Sequence, residues 1–276
     1  MADIRIKGLS NPDEFEQVVR IQQAVWGFRD IDLTPAHHFD ISVKTGAILV
    51  GAFVGEELAG YVYSFPARYK NLWVQHSRQL GVLPRFRGRN IGKLLKWGQR
   101  LDALDKGYRM ITWTVEPLLS LNASLNFRTL GVVTKTYLAD YYKAAPALSI
   151  AAGVPVDRLY LEWHLRSPRV EKRERGAVPM EGVEAALVLE ASGGGNPGLP
   201  GEPDFSLADE IILIETPKDI VRFVYEPSFI LAWQEAVRRS MEYYFAAGYW
   251  IVDFLLREDR CFFVLRRPQK GEWDGI

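Results

Sequence analysis

Apolar and polar residues alternate over Ile4–Leu9, which predicts a strand. Asn11 as a cap, Pro12 at the first helical position and Glu14 three residues after the cap open a helix to Trp26, with Phe15, Val18, Val19, Gln22 and Val25 inward. A short second helix follows Pro35. The apolar runs Ala47–Phe53 and Leu58–Phe65, separated by Gly55, Glu56 and Glu57, form a hairpin, and Trp73–Leu83 is the next strand. A long helix then runs to Lys106 and stops at Gly107. Met110–Val115 is a strand ended by Pro117, Ser120–Leu130 a short helix closed by Gly131, and Val132–Tyr142 and Leu159–Leu165 are strands. This order predicts an α/β class, an α+β mixed sheet with helices on both faces.

Arg166–Gly176 is dense in charge and reads as a linker between a first domain over 1–168 and a second over 177–276. In the second, Val183–Leu189, Ile211–Ile214, Trp250–Leu256 and Cys261–Leu265 are strand-like. Phe229–Ala247 is an amphipathic helix with Trp233, Ala236, Val237, Ser240 and Tyr244 inward. Ser192–Pro203 reads as a flexible surface loop. The aromatic rings Trp233, Tyr243, Tyr244, Tyr249 and Trp250 exceed what four short strands can cover, so this part is expected to pack on the first and to wall an acceptor cleft; a dimerisation module is the alternative.

Composition narrows the class. With 276 residues and 48% hydrophobic content the chain is globular, large enough for two modest cores. The formal charge is zero, yet positions 68, 70, 78, 85, 87, 89, 93, 96 and 100 are basic and no acid lies among them, which predicts an anionic ligand there. Trp73, Phe86 and Trp97 are too scattered for a single-strand nucleic-acid surface. The single cysteine, Cys261, sits in a strand pattern, and the histidines at 37, 38, 76 and 164 lack metal-ligand spacing, so no metal is expected. The charged amino-terminal residues and the absence of a long apolar span predict a cytoplasmic protein without membrane association.

The basic stretch is organised around Gln79–Gln99. Apolar Leu80, Val82 and Leu83 lead into a loop of Arg85, Arg87, Gly88, Arg89 and Asn90, and then into a helix with Ile91, Leu94, Leu95, Leu101 and Leu104 on its apolar side. A strand, a basic glycine loop and a helix start can wrap a diphosphate with backbone N–H groups. The run Leu80–Leu95, LGVLPRFRGRNIGKLL, resembles the loop of the GNAT superfamily of acyl-CoA-dependent N-acyltransferases: Arg or Gln, two residues, Gly, one residue, Gly or Ala. Arg87, Asn90 and Gly92 occupy it, with Asn90 in place of the usual Gly; Asn tolerates positive φ best among the other residues. Lys96–Arg100, Trp113–Leu118, Asn122–Gly131 and Pro155–Trp163 further resemble a bacterial subgroup of predicted acetyltransferases of undefined substrate, whose C-terminal extension is similar to residues 209–266. The resemblance covers about residues 3–166.

It implies a GNAT fold with a smaller C-terminal α+β part, acetyl-CoA as co-substrate, and direct transfer of the acetyl group to an amine of a small molecule or protein. Main-chain groups of Leu80 and Val82 would pair with the pantetheine arm, and Arg87, Gly88, Arg89, Asn90, Ile91, Gly92 and Lys93 would hold the diphosphate, with Asn122 and Asn126 as further contacts. The acid of many relatives, a Tyr four residues before the closing Gly, is here Phe127, so Tyr137, Tyr141 or Tyr142 would substitute, Tyr142 foremost, or water would. Glu116 and His76 are the candidate bases. A non-catalytic acyl-CoA-binding protein and an anion or nucleic-acid binder are the competing functions, and a homodimer is compatible with either part.

Overall fold

The computed structural model describes residues 3–143, 149–177, 180, 183–192, 198–269 and 272. Their contacts form two compact units, Met1–Trp113 with His164–Arg166, and Thr114–Trp163 with Ser167–Ile276. The chain thus passes between the units after Trp113, after Trp163 and again after Arg166, at the edge of the charged stretch.

In the first unit, β1 (Ile4–Gly8), β2 (Ile48–Val54), β3 (Glu57–Tyr69) and β4 (Leu72–Val82) form an antiparallel run, and β5 (Met110–Val115) starts parallel to β4. The sheet is mixed, and the class is α/β as the alternation of elements predicts. α1 (Pro12–Trp26) begins as expected: the Glu14 N–H donates to Asn11 Oδ1 at 3.0 Å, and the Glu14 carboxylate in turn accepts from Ser10 N–H and Lys7. α2 (Ala36–Lys44) follows Pro35, and α3 (Ile91–Asp105) runs to the left-handed Gly107.

Phe15, Val18 and Ile21 of α1 and Phe39 of α2 pack with Tyr61, Tyr63 and Leu83 in one core cluster. Gln22, polar at a core position of α1, is fully buried because its amide makes two 2.9 Å bonds to the main chain of Thr34. Gln79 extends this network, accepting from Tyr61 Oη at 2.9 Å and donating to Gln22 Oε1 at 3.3 Å. β3 and β4 lie so close at their ends that a Cβ on Gly60 would stand 2.6 Å from the Gly81 carbonyl oxygen.

The second unit begins within β5. α4 (Ser120–Ala123) passes into a π-helical turn over Ser124–Leu130 that ends at left-handed Gly131. The strand expected over 132–142 is reduced to β6 (Tyr137–Leu138), paired with β7 (Arg158–His164), because Thr134 pairs instead with Ile251 and Val133 with Glu162. The stretch read as a linker contains α5 (Pro168–Glu174), opened by Ser167, whose Oγ accepts from Val170 N–H at 3.3 Å, and by Pro168 at the first helical position.

β8 (Ala186–Leu189) precedes the short pair β9 (Ala191–Ser192) and β10 (Leu199–Pro200); of the loop predicted over 192–203, residues 193–197 lie outside the described residues. β11 (Ile211–Thr216), α6 (Pro227–Ala246), β12 (Trp250–Arg257) and β13 (Arg260–Arg266) complete the unit, with sheet order β12-β13-β11-β8.

Within this unit the C-terminal elements share a core with residues 120–163. Phe263 meets Phe127 edge-on with centroids 5.7 Å apart, Gln234 donates to the Pro155 carbonyl at 2.9 Å, and the Ser120 hydroxyl reaches the Lys218 carbonyl. Arg238 of α6 grips fully buried Asp157 through Nε at 2.8 Å and Nη2 at 2.9 Å, and Asp157 also accepts from Tyr137 Oη at 2.6 Å. Removing the guanidinium would leave a buried carboxylate short of its counter-charge. Arg238→Ala is therefore expected to lower stability in urea unfolding by about 3 kcal/mol or more, and Tyr137→Phe, which removes one hydrogen bond, by about 1 kcal/mol.

Candidate functional site

β4 is the strand that creates a site. Its register with β3 extends from Leu72 to Val82, whereas its parallel register with β5 covers only Gln75 with Ile111 and His76 with Thr112. The Leu83 N–H donates to the Ala59 carbonyl at 2.9 Å. Since main-chain groups turn to the antiparallel partner at every second residue, Gly81 and Gln79 face β3, and Leu80 and Val82 present theirs to the opposite edge. Among the described residues Leu80 and Val82 have no ladder partner on β5, and the Val82 carbonyl accepts from Arg87 Nε at 3.3 Å.

The loop after β4 is shaped by two left-handed residues, Gly88 at φ 76° and Asn90 at φ 60°, so Asn90 does what the usual glycine would. Asn90 occupies the cap of α3, and its side chain makes no cap hydrogen bond to the helix's first N–H groups. The Asn90 carbonyl takes the Leu94 N–H at 3.0 Å, which leaves those of Ile91, Gly92 and Lys93 directed out of the helix end.

The basic cluster is less uniform than its sequence. Arg85 pairs with Glu57, Arg87 turns back on its own strand, and Arg89 lies over the Phe86 ring at 5.8 Å. Lys96 and Arg100 do not belong to an anion-binding surface, because both are buried. Arg100 donates to the Leu165 carbonyl at 2.9 and 2.6 Å, while Lys96 Nζ lies 2.7 Å from Gln99 Oε1 and 3.6 Å from the Trp113 ring centroid. Burial holds the Lys96 ammonium well below its ordinary pKa.

His76, half-buried on β4, places Nδ1 3.1 Å from Thr112 Oγ1 and its ring 5.6 Å from that of Phe65. Burial first, then the charges of Arg78 and Lys96, lower its pKa, so the imidazole is neutral at neutral pH. On the far side of Phe65 is a cavity of about 670 Å³ whose walls include Thr34, His38, Ser42, Tyr63, Phe65 and Arg78, but not His76 itself.

Glu116 and Tyr142 belong to the second unit, where Arg158 joins them. Arg158 Nη1 donates to Glu116 Oε2 at 2.6 Å, its guanidinium lies 5.5 Å from the Tyr142 ring centroid, and Tyr142 Oη is 3.3 Å from Thr114 Oγ1. Burial raises the Glu116 carboxyl to about 7 despite Arg158 and the Leu118 N–H. Glu116 can therefore change charge near neutrality, but from within a buried ion pair. Tyr137 is no acid, since burial and its bond to Asp157 push it far above the ordinary phenol range.

Asn122 is exposed on α4; Asn126 is buried in the π-helical turn, where its carbonyl accepts from Val132 N–H at 3.1 Å. Phe127 is fully buried. Residues that sequence reasoning missed are Arg158, separated by 42 positions from its partner Glu116, and Arg78, seen only as one basic residue among nine. Alternation along β4 was the available signal for Arg78: it places Arg78 on the face of His76.

No protein-family model and no curated protein matches the chain. Solved structures do. An acetyltransferase of the GNAT family from Streptococcus pneumoniae is 16% identical, covering 58% of this chain and 98% of its own at a TM-score of 0.47. The ribosomal-protein-S18-alanine N-acetyltransferase from Escherichia coli is 12% identical over 66% of this chain and 99% of its own, TM-score 0.47. A GNAT family acetyltransferase from Elizabethkingia anophelis with acetyl-CoA bound is 16% identical over 59% and 99%, TM-score 0.42. In fold, this chain is similar to GNAT acetyltransferases. Each likeness is partial and of low identity, and the site's chemistry is read from the chain's own residues.

The burial of Lys96 has a thermodynamic signature. A folded-state pKa below the unfolded value means that the unfolded chain binds more protons, so stability rises with pH until the unfolded lysine titrates, near about 10.4. Between pH 8 and 10 the wild type should gain stability in urea unfolding by up to about 1.4 kcal/mol per pH unit, and Lys96→Met should flatten that rise without weakening anion binding at the loop.

Proposed function

We propose that the chain is an acyl-CoA-dependent N-acyltransferase, taking an acetyl or similar acyl group from its CoA thioester and passing it to an amine by direct attack. The observation that carries this reading is the conjunction on β4: a strand edge open at Leu80 and Val82, followed at once by a left-handed loop and an uncapped helix start. An extended amide arm can add to such an edge as a further strand, and a diphosphate can take the N–H groups of Ile91, Gly92 and Lys93. Hydrogen bonds to charged oxygens, at about 1.5–3 kcal/mol each, outweigh the ~0–1 kcal/mol of an exposed ion pair. The backbone from Gly88 to Gly92 is thus the main element, with Arg89 and Lys93 as supporting charges.

For the proton, His76 is the better base. It is neutral at neutral pH and packs against Phe65, a wall residue of the cavity, whereas the Glu116 carboxylate is bound to Arg158 at 2.6 Å. With Phe127 in the core, Tyr142 and water remain as sources of a proton for the leaving thiolate. A thiol of pKa about 8.5 asks little of either.

Gly92→Asp places a carboxylate at the helix start and is expected to abolish CoA binding by calorimetry, while Arg89→Ala weakens it only a few-fold; unchanged affinity in Gly92→Asp would overturn the assignment. With an amine that is turned over, kcat/KM should rise with pH to a plateau, its midpoint below the ordinary histidine value of about 6.5. His76→Ala should remove that limb and Glu116→Gln should keep it.

A further inference from the structure

The cavity walled by Phe65 has a charge character that specifies its ligand. Its floor and sides are apolar or aromatic, from Leu33, Pro35, Tyr63, Phe65 and Pro66. A chain of hydrogen bonds lines one wall, with Tyr63 Oη donating to Ser42 Oγ at 3.0 Å and lying 3.3 Å from His38 Nε2. The wall at Thr34 is fixed, because both main-chain groups of Thr34 are bound by the buried Gln22 amide. Arg78 is the one fully charged group among the described lining residues, and no Asp or Glu is among them. Arg78 is exposed and makes no hydrogen bond or ion pair with any described residue.

An unpaired guanidinium over a preformed, largely apolar cavity offers a planar fork of donors with nothing of opposite charge to satisfy it. A polyamine would meet a positive charge and no acceptor carboxylate. Resting on the acyltransferase reading of the same unit, we propose that this cavity takes the acceptor, and that the acceptor is a small amine bearing a carboxylate and an apolar or aromatic body, held through its carboxylate by Arg78. Phe65, a wall of this cavity, is also the ring that packs against His76, with centroids 5.6 Å apart, so the candidate base lies one ring behind the wall.

The test uses the full chain and calorimetric binding of L-phenylalanine, L-phenylalanine amide, phenyl phosphate and spermidine, each without CoA, with CoA affinity measured separately. Wild type should bind L-phenylalanine at least about tenfold more tightly than its amide, and spermidine not at all. Arg78→Ala should reduce that ratio to near one, Arg78→Lys should restore part of it, and CoA affinity should be the same in all three proteins. Equal affinity for acid and amide, a ratio that survives Arg78→Ala, tightest binding of phenyl phosphate, or binding of spermidine would each overturn the proposal. If CoA fails to bind while the acid is still preferred over the amide, the acyltransferase reading falls and the carboxylate site stands; if CoA binds and no preference is seen, the reverse holds.

Discussion

Everything proposed for this chain depends on β4 being bound on one side and released on the other. Along β3 its ladder runs from Leu72 to Val82, interrupted only by a bulge at Arg78 where the register shifts between Tyr63 and Ser64, and Gly60 closely approaches the Gly81 carbonyl. Toward β5 it is tied only at Gln75 and His76. A strand held on one edge keeps its shape while its other edge stays available, so the main-chain groups of Leu80 and Val82 are pre-set rather than ordered on binding. The same strand carries Arg78 at the cavity and His76 against its wall residue Phe65, so one backbone positions the proposed cofactor edge, the candidate base and the candidate anchor.

Much of this was legible from residue types because the signals are local. Asn11, Pro12 and Glu14 fixed the start of α1, and Gly107 and Gly131 the ends of α3 and the π-helical turn, each through backbone geometry that few other residues supply. The loop at Arg87–Gly92 was readable for the same reason. What could not be read depended on distant partners. Thr134 leaves the expected strand register because Ile251, far along the chain, pairs with it, and the charged stretch 166–176 becomes helical at a Ser-Pro start whose capping role only its Val170 bond confirms. Lys96 and Arg100 looked like surface charge; helical periodicity sets both on the buried side of α3, where Gln99, Trp113 and the Leu165 carbonyl receive them.

The second unit joins residues on both sides of the charged stretch. Residues 120–163 contribute Phe127, Val133 and Asp157, all buried, with Asp157 accepting from Tyr137 and from Asp140 N–H. Phe263, the β12 strand and Arg238 cover them, so the C-terminal elements complete the core of the segment that precedes them. Phe127 is then a packing residue. Changing it to Tyr would bury a hydroxyl against Phe263 rather than deliver an acid to any cleft.

The loss of an acid at that position weighs little beside the demands on the base. A thiolate leaves readily, but an amine must first shed a proton, and each pKa unit by which the amine exceeds the base costs about 1.4 kcal/mol. The α-ammonium of an amino acid, raised by its neighbouring carboxylate above the about 7.7–8.0 of a chain terminus, still titrates below the about 10.4 of a lysine ammonium. His76, neutral and held below the usual histidine range, is a weak base and can serve the first better than the second. The carboxylate anchor at Arg78 and the weak base at His76 were inferred from separate observations, one a free guanidinium over a cavity and the other a desolvated ring. On the proposed chemistry both select the same kind of molecule, a small acceptor with an α-amine and a carboxylate close together, over a side-chain amine on a protein surface.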